Sequence, residues 1–152
     1  MQSLLRQLRE AFPDAPLPPR PITEPRCPEC DAADVVLGGQ PWPEVAAGFP
    51  GECHHAFPLL TPTAQRYYLP AFMLSAFGSN GMQGDSLEAA LIGGAFAPQS
   101  FTRAQRSAIG RWVVEYWGSW MGWEEPPPQL AAWWAEAGES RAEPGAAPDA
   151  AG

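Results

Sequence analysis

The chain has 152 residues, a one-domain length, with 45% hydrophobic and only 17% charged residues. Its formal net charge is −8, and every basic residue is an arginine. A duplex binder needs a cationic footprint, and so does a protein that settles on an anionic membrane; this balance excludes both partners.

No window of about 18 apolar residues occurs, so no membrane-spanning helix is expected. The opening "MQSLLRQLREAF" alternates apolar and charged residues on a helical period, unlike the continuous apolar run of a signal peptide. A cytoplasmic location follows, where three cysteines stay reduced. Nineteen prolines and fifteen glycines cut the chain into short elements.

The first expected helix spans residues 3–12, with Ser3 as its N-cap and Leu4, Leu5, Leu8, Ala11 and Phe12 on one face. Pro13 ends it, and "PDAPLPPRPITEPR" reads as an extended connector. After the cysteine stretch "RCPECDAAD", Val35 to Leu37 suit a short strand or a helix end. Trp42 and Pro43 open a one-turn helix reaching Ala47.

The strongest helical signal is "TPTAQRYYLPAFMLSAF", with Thr61 as N-cap and Pro62 at the first helical position, where a missing N–H costs nothing. Pro70 lies inside it and predicts a kink. Tyr68 and Phe72 are four apart, so both are expected to face the core against a tryptophan stripe, with Tyr67 nearer the cysteines. A short helix is expected over "LEAALIGGAF". In the helix after Phe101, Thr102 and Gln105 form a capping box. Ile109, Trp112, Val113, Tyr116, Trp117 and Trp120 make a stripe that reads as core rather than as an aromatic ligand platform.

A last short helix carries Leu130, Trp133 and Trp134. From Gly138 the tail is alanine, glycine, proline and acid, and is expected to be disordered. The fold class is therefore mostly α: one helical domain over residues 1–137 with long proline-rich connections, then the tail 138–152. No nucleotide-binding glycine loop and no nucleophile elbow occurs.

Chemistry concentrates in two places, Cys27 with Cys30 and the run Cys53, His54, His55. Two cysteines three apart can reach one tetrahedral ion, and the 22 residues between Cys30 and Cys53 suit a zinc module. A structural zinc held by Cys27, Cys30, Cys53 and either His54 or His55 is chemically complete. A redox pair is the second reading, because C-P-x-C resembles disulfide-exchange sites. Those sites place the first cysteine at a helix N-terminus after a strand, which the proline-rich approach does not suggest, and nearby acids oppose a thiolate. The third reading makes Cys27 and Cys30 surface thiols and Cys53 a small buried apolar group, and it outweighs the other two. Asp31 and Asp34 fit a solvated acidic turn better than a ligand pair.

The helix around Arg66 to Met73, together with the upstream cysteine pair, resembles a family of small, acidic bacterial proteins without an assigned activity. Their pattern is CxxCD, a tryptophan, a histidine and then a TPxAxRYYLPAFM helix. The resemblance covers roughly residues 4–117, at Cys27, Cys30, Asp31, Trp42, His54, Tyr67, Tyr68 and Pro70. Cys53 and His55 fall outside it. It implies no reaction. The reading that results is a non-enzymatic interaction protein, immunity-like, whose acidic surface meets a basic protein partner. The alternative is a metal-dependent enzyme or regulatory protein built on the Cys/His set.

Overall fold

A computed structural model describes residues 2–13, 15–24, 27–78, 84–92, 96–120, 122, 124–125, 128–133 and 135, without the side chains of Asp85, Ser119 and Trp120. The expected tail over 138–152, Trp134 and the side chain of Trp120 lie outside the described residues.

The architecture is mostly α. Helix α1 (Gln2–Ala11) buries Leu4, Leu8 and Ala11, as its apolar period requires. It begins one residue earlier than expected, so Ser3 lies inside its first turn rather than capping it. The Ser3 hydroxyl instead accepts from the Arg111 guanidinium.

Helix α2 (Pro28–Leu37) is the largest departure from the expected pattern. The sequence reading carried an extended connector up to the cysteines and allowed at most a short element at Val35–Leu37. The helix starts because Cys27 caps it, Pro28 occupies its first position, and Glu29 and Asp31 place acids in the positive first turn. Helix α3 (Trp42–Ala47) follows as expected.

Helix α4 (Pro62–Ala76) opens at the Thr61 cap, whose hydroxyl accepts from the Ala64 N–H at 3.3 Å, and continues through Pro70. Helix α5 (Gly84–Ile92) starts three residues before the expected Leu87. Helix α6 (Arg103–Val113) has the reciprocal Thr102–Gln105 capping box and runs into a π-helical segment, Val114–Trp120.

Helix α3 packs on α4, and α1 packs on α6. Ile109, Trp112, Val113, Tyr116 and Trp117 are all buried, so this stripe is core. Tyr68 and Phe72 are buried too, but Phe72 meets Phe49 and Phe57 at 4.9 and 5.0 Å rather than the tryptophan stripe. Phe77 reaches Trp112 and Tyr116 instead, at 6.5 and 5.6 Å. Five residues advance a helix by about 140°, so Phe72 and Phe77 face different neighbours.

Three helix ends are closed by aromatic donors buried in the core. The carbonyls of a last helical turn have no intrahelical partner and need one. The Trp42 indole donates to the Phe12 carbonyl just past α1, at 3.2 Å. The Tyr68 hydroxyl donates to the Leu37 carbonyl at the end of α2, at 2.7 Å, and reaches the Gln40 carbonyl at 3.0 Å. The Trp112 indole donates to the Met73 carbonyl in the last turn of α4, at 2.6 Å.

The proline-rich connector is tied down at its far end. An isolated antiparallel bridge pairs Thr23 with Leu60, with Thr61 N–H donating to Ile22 O at 2.8 Å and Glu24 N–H to Leu59 O at 3.1 Å.

Candidate functional site

The cysteine pair sits where the connector turns into α2. Cys27 and Cys30 are joined by a disulfide. Cys27 is the N-cap residue and is half-buried; Cys30, one turn in, is fully buried. The Cys27 sulfur accepts the Cys30 N–H at 3.2 Å. The backbone on both sides is fixed: the Thr23 hydroxyl donates to the Cys30 carbonyl at 3.4 Å. Asp34, one turn further, accepts the Ile22 N–H at 2.7 Å and pairs with Arg20 at 2.7 Å.

This placement changes the weight of the redox reading. A helix N-terminus stands behind the first cysteine because Pro28 starts α2 there, while among the described residues no strand precedes it, only the isolated bridge at Thr23. The structure also joins two thiols that a reducing compartment would keep apart.

The second half of the proposed zinc set lies differently. Cys53 is buried in the hydrophobic core, and burial, with the nearby Glu52 carboxylate, pushes its thiol up to about 11. His54 stacks on Phe49 at 5.9 Å, and His55 is exposed. Among the described residues no group of three or more His, Cys, Asp or Glu stands close enough to hold a metal ion. While the disulfide is closed, neither Cys27 nor Cys30 offers a thiolate to a metal.

Asp31 and Asp34 both lie on α2 but do different work: Asp31 is exposed, whereas Asp34 binds the connector. Tyr68 contacts the far end of α2. Tyr67 lines a groove of about 320 Å³ with Phe12, Pro13, Pro16, Trp42 and Arg66. The Arg66 guanidinium there stacks over Phe101 at 4.2 Å and donates to the Ser100 carbonyl.

No protein-family model matches the chain, and neither a curated protein nor a solved structure matches it. Among the described residues, no helix is long and apolar enough to cross a membrane.

Proposed function

We propose that this chain is a non-enzymatic cytoplasmic interaction protein that docks a basic protein partner through an acidic face, in the manner of an immunity protein. The observation that carries the reading is a charge asymmetry. From Cys27 to Gln65 the chain contains Glu29, Asp31, Asp34, Glu44 and Glu52 and neither arginine nor lysine. Glu29, Asp31, Glu44 and Glu52 are exposed, while Asp34 is committed to Arg20. Of the arginines elsewhere, Arg66 contacts Ser100 and Phe101, Arg106 the Phe101 carbonyl, and Arg111 Glu115, Gln7 and Ser3, while Arg6, Arg9 and Arg103 are exposed outside this stretch. Four exposed carboxylates on a stretch without a basic residue, where Arg20 is already paired with Asp34, give a field of one sign over α2, α3 and the turn after them. Such a field steers a basic protein to the surface and speeds its association.

The test is a four-charge reversal, Glu29→Lys, Asp31→Lys, Glu44→Lys and Glu52→Lys, read against a basic partner captured by the wild-type protein. The association rate with wild-type protein should fall steeply with added salt, and the reversed variant should lose the complex. A partner that binds both proteins equally ends the reading. The competing reading is a zinc-dependent protein built on Cys27, Cys30, Cys53 and His54 or His55. It requires the disulfide to open first, and about one equivalent of zinc retained by the reduced protein and lost in Cys27→Ser would favour it.

A further inference from the structure

We propose that Cys27 and Cys30 form a dithiol–disulfide exchange site whose substrate is a dithiol, called the partner below. The inference goes beyond the docking of a basic partner and stands on the geometry of α2 alone.

Three observations combine. The two cysteines are already bonded to each other, so the pair has an oxidised state within the native fold. They are unequal: Cys27 is half-buried at the helix mouth, whereas Cys30 is fully buried one turn behind it. An incoming thiol therefore meets Cys27. The Cys27 sulfur also sits at the helix N-cap and accepts the Cys30 N–H, a position that stabilises a thiolate when the bond opens. The Glu29 and Asp31 carboxylates in the same first turn oppose that stabilisation.

The framework survives opening of the bond. Apart from the cap that the Cys27 sulfur gives the Cys30 N–H, the contacts that hold this end of α2 run through the Cys30 carbonyl, the Ile22 N–H, Asp34 and Arg20.

The exchange runs in two displacements. A thiolate of the partner attacks the Cys27 sulfur, the Cys27–Cys30 bond breaks, and the Cys30 sulfur leaves with the bonding pair and takes up a proton. The partner's second thiolate then attacks the partner sulfur of the mixed disulfide. Cys27 leaves as a thiolate and is protonated from solvent. Two electrons and two protons pass from the partner dithiol to the pair, and the partner emerges as a disulfide. Among cytoplasmic proteins a disulfide of this kind belongs to a catalytic or sensing cycle rather than to a permanent staple.

The test uses dithiothreitol as the dithiol. Folded wild-type protein is equilibrated across ratios of reduced to oxidised dithiothreitol, alkylated and mapped by mass, with circular dichroism recording the fold at each ratio. Cys27 and Cys30 should gain label together while the spectrum stays native, and Cys53 should stay unlabelled. A pair that opens only when the spectrum is lost is a structural staple and overturns the proposal. A second measurement reads the asymmetry with 5,5′-dithiobis(2-nitrobenzoate). Cys30→Ser, which leaves half-buried Cys27 beside buried Cys53, should react roughly tenfold or more faster than Cys27→Ser, which leaves only the buried Cys30 and Cys53. Equal rates in folded variants also overturn it.

Discussion

The body made by α4 and α6 and the shoulder made by the connector and α2 are held by different forces. In the body, Trp112 stacks on Tyr116 at 4.9 Å with the rings 9° apart, and Trp117 and Phe77 close on them edge to face. Contact of this kind is non-directional and spread over many atoms, so it yields little to one local event. The shoulder buries Ile22, Ala33 and Leu37 in the same core and adds directed contacts on Arg20, Ile22, Thr23, Asp34 and Tyr68. The region with these directed ties is also the one carrying the disulfide and the exposed Glu29 and Asp31. Chemistry placed there can change state without reaching the aromatic body.

The comparison breaks most visibly in the body. Trp112→Ala should cost about 3–5 kcal/mol, because it empties a core site and strips the Met73 carbonyl of its donor. Chemical denaturation measures it, and a loss near that of a surface residue would mean that the body is not the stable part. Gly84→Ala should cost about 1–3 kcal/mol, since a Cβ there runs into the hydroxyl of Tyr116, whose ring is enclosed by Trp112, Trp117 and Phe77.

Asp34→Ala tests the shoulder. It leaves the Ile22 N–H without its acceptor and should cost about 1–3 kcal/mol, with faster amide exchange at Ile22 than in α6. Equal protection in both regions would erase the distinction drawn between them.

Alkaline pH acts on both. Burial pushes the Tyr68 hydroxyl from 10.0 to about 12, and burial together with Glu52 pushes the Cys53 thiol from 9.0 to about 11. Folding thus favours the protonated forms. Their contribution is complete below the unfolded values near 9 and 10 and disappears as pH rises through the folded ones. Melting temperature should fall between about pH 9 and 12, and Cys53→Ala should flatten the lower part of that fall. A fall complete before pH 9 would contradict the assignment.

The smallest effects sharpen the picture. Tyr68→Phe keeps the ring and removes only the hydroxyl, so about 1 kcal/mol should go, with the loss of protection confined to the end of α2. Arg6→Ala breaks an exposed pair with Glu10 at 4.0 Å and should change stability by less than about 0.5 kcal/mol.

What the sequence made legible follows from how local each signal is. The Thr61–Pro62 start of α4 and the Thr102–Gln105 box of α6 are written within four residues, and both appear as read. The buried stripe from Ile109 to Trp117 repeats often enough to declare itself. Helix α2 was missed because its first turn continues the proline-rich composition before it. The signals present, Pro28 at the first helical position with Glu29 and Asp31 behind it, were outweighed by that context. The end of the α-helical geometry at Val113 left no local mark that we can identify.

At the site, the spacing of Cys27 and Cys30 was plain, but what each sulfur meets is a tertiary fact. Cys53 lies in the core, and the sulfurs of Cys27 and Cys30 meet each other. Arg20 and Asp34 are fourteen residues apart, beyond any helical period, so their pairing was invisible until the connector folded back.

The Tyr68 hydroxyl gives α2 an unequal pair of ends. Its last carbonyl is gripped by a residue rooted in the aromatic body, while its first residue carries a bond that chemistry can open. Opening that bond leaves the mouth of α2 held by Thr23 and Asp34. At 1.5 Å of rise per residue, the ten residues from Pro28 to Leu37 make an arm of about 15 Å. That length separates the bond that can open from the Leu37 carbonyl held by the aromatic body, so one end can change its covalent state while the other keeps its contact.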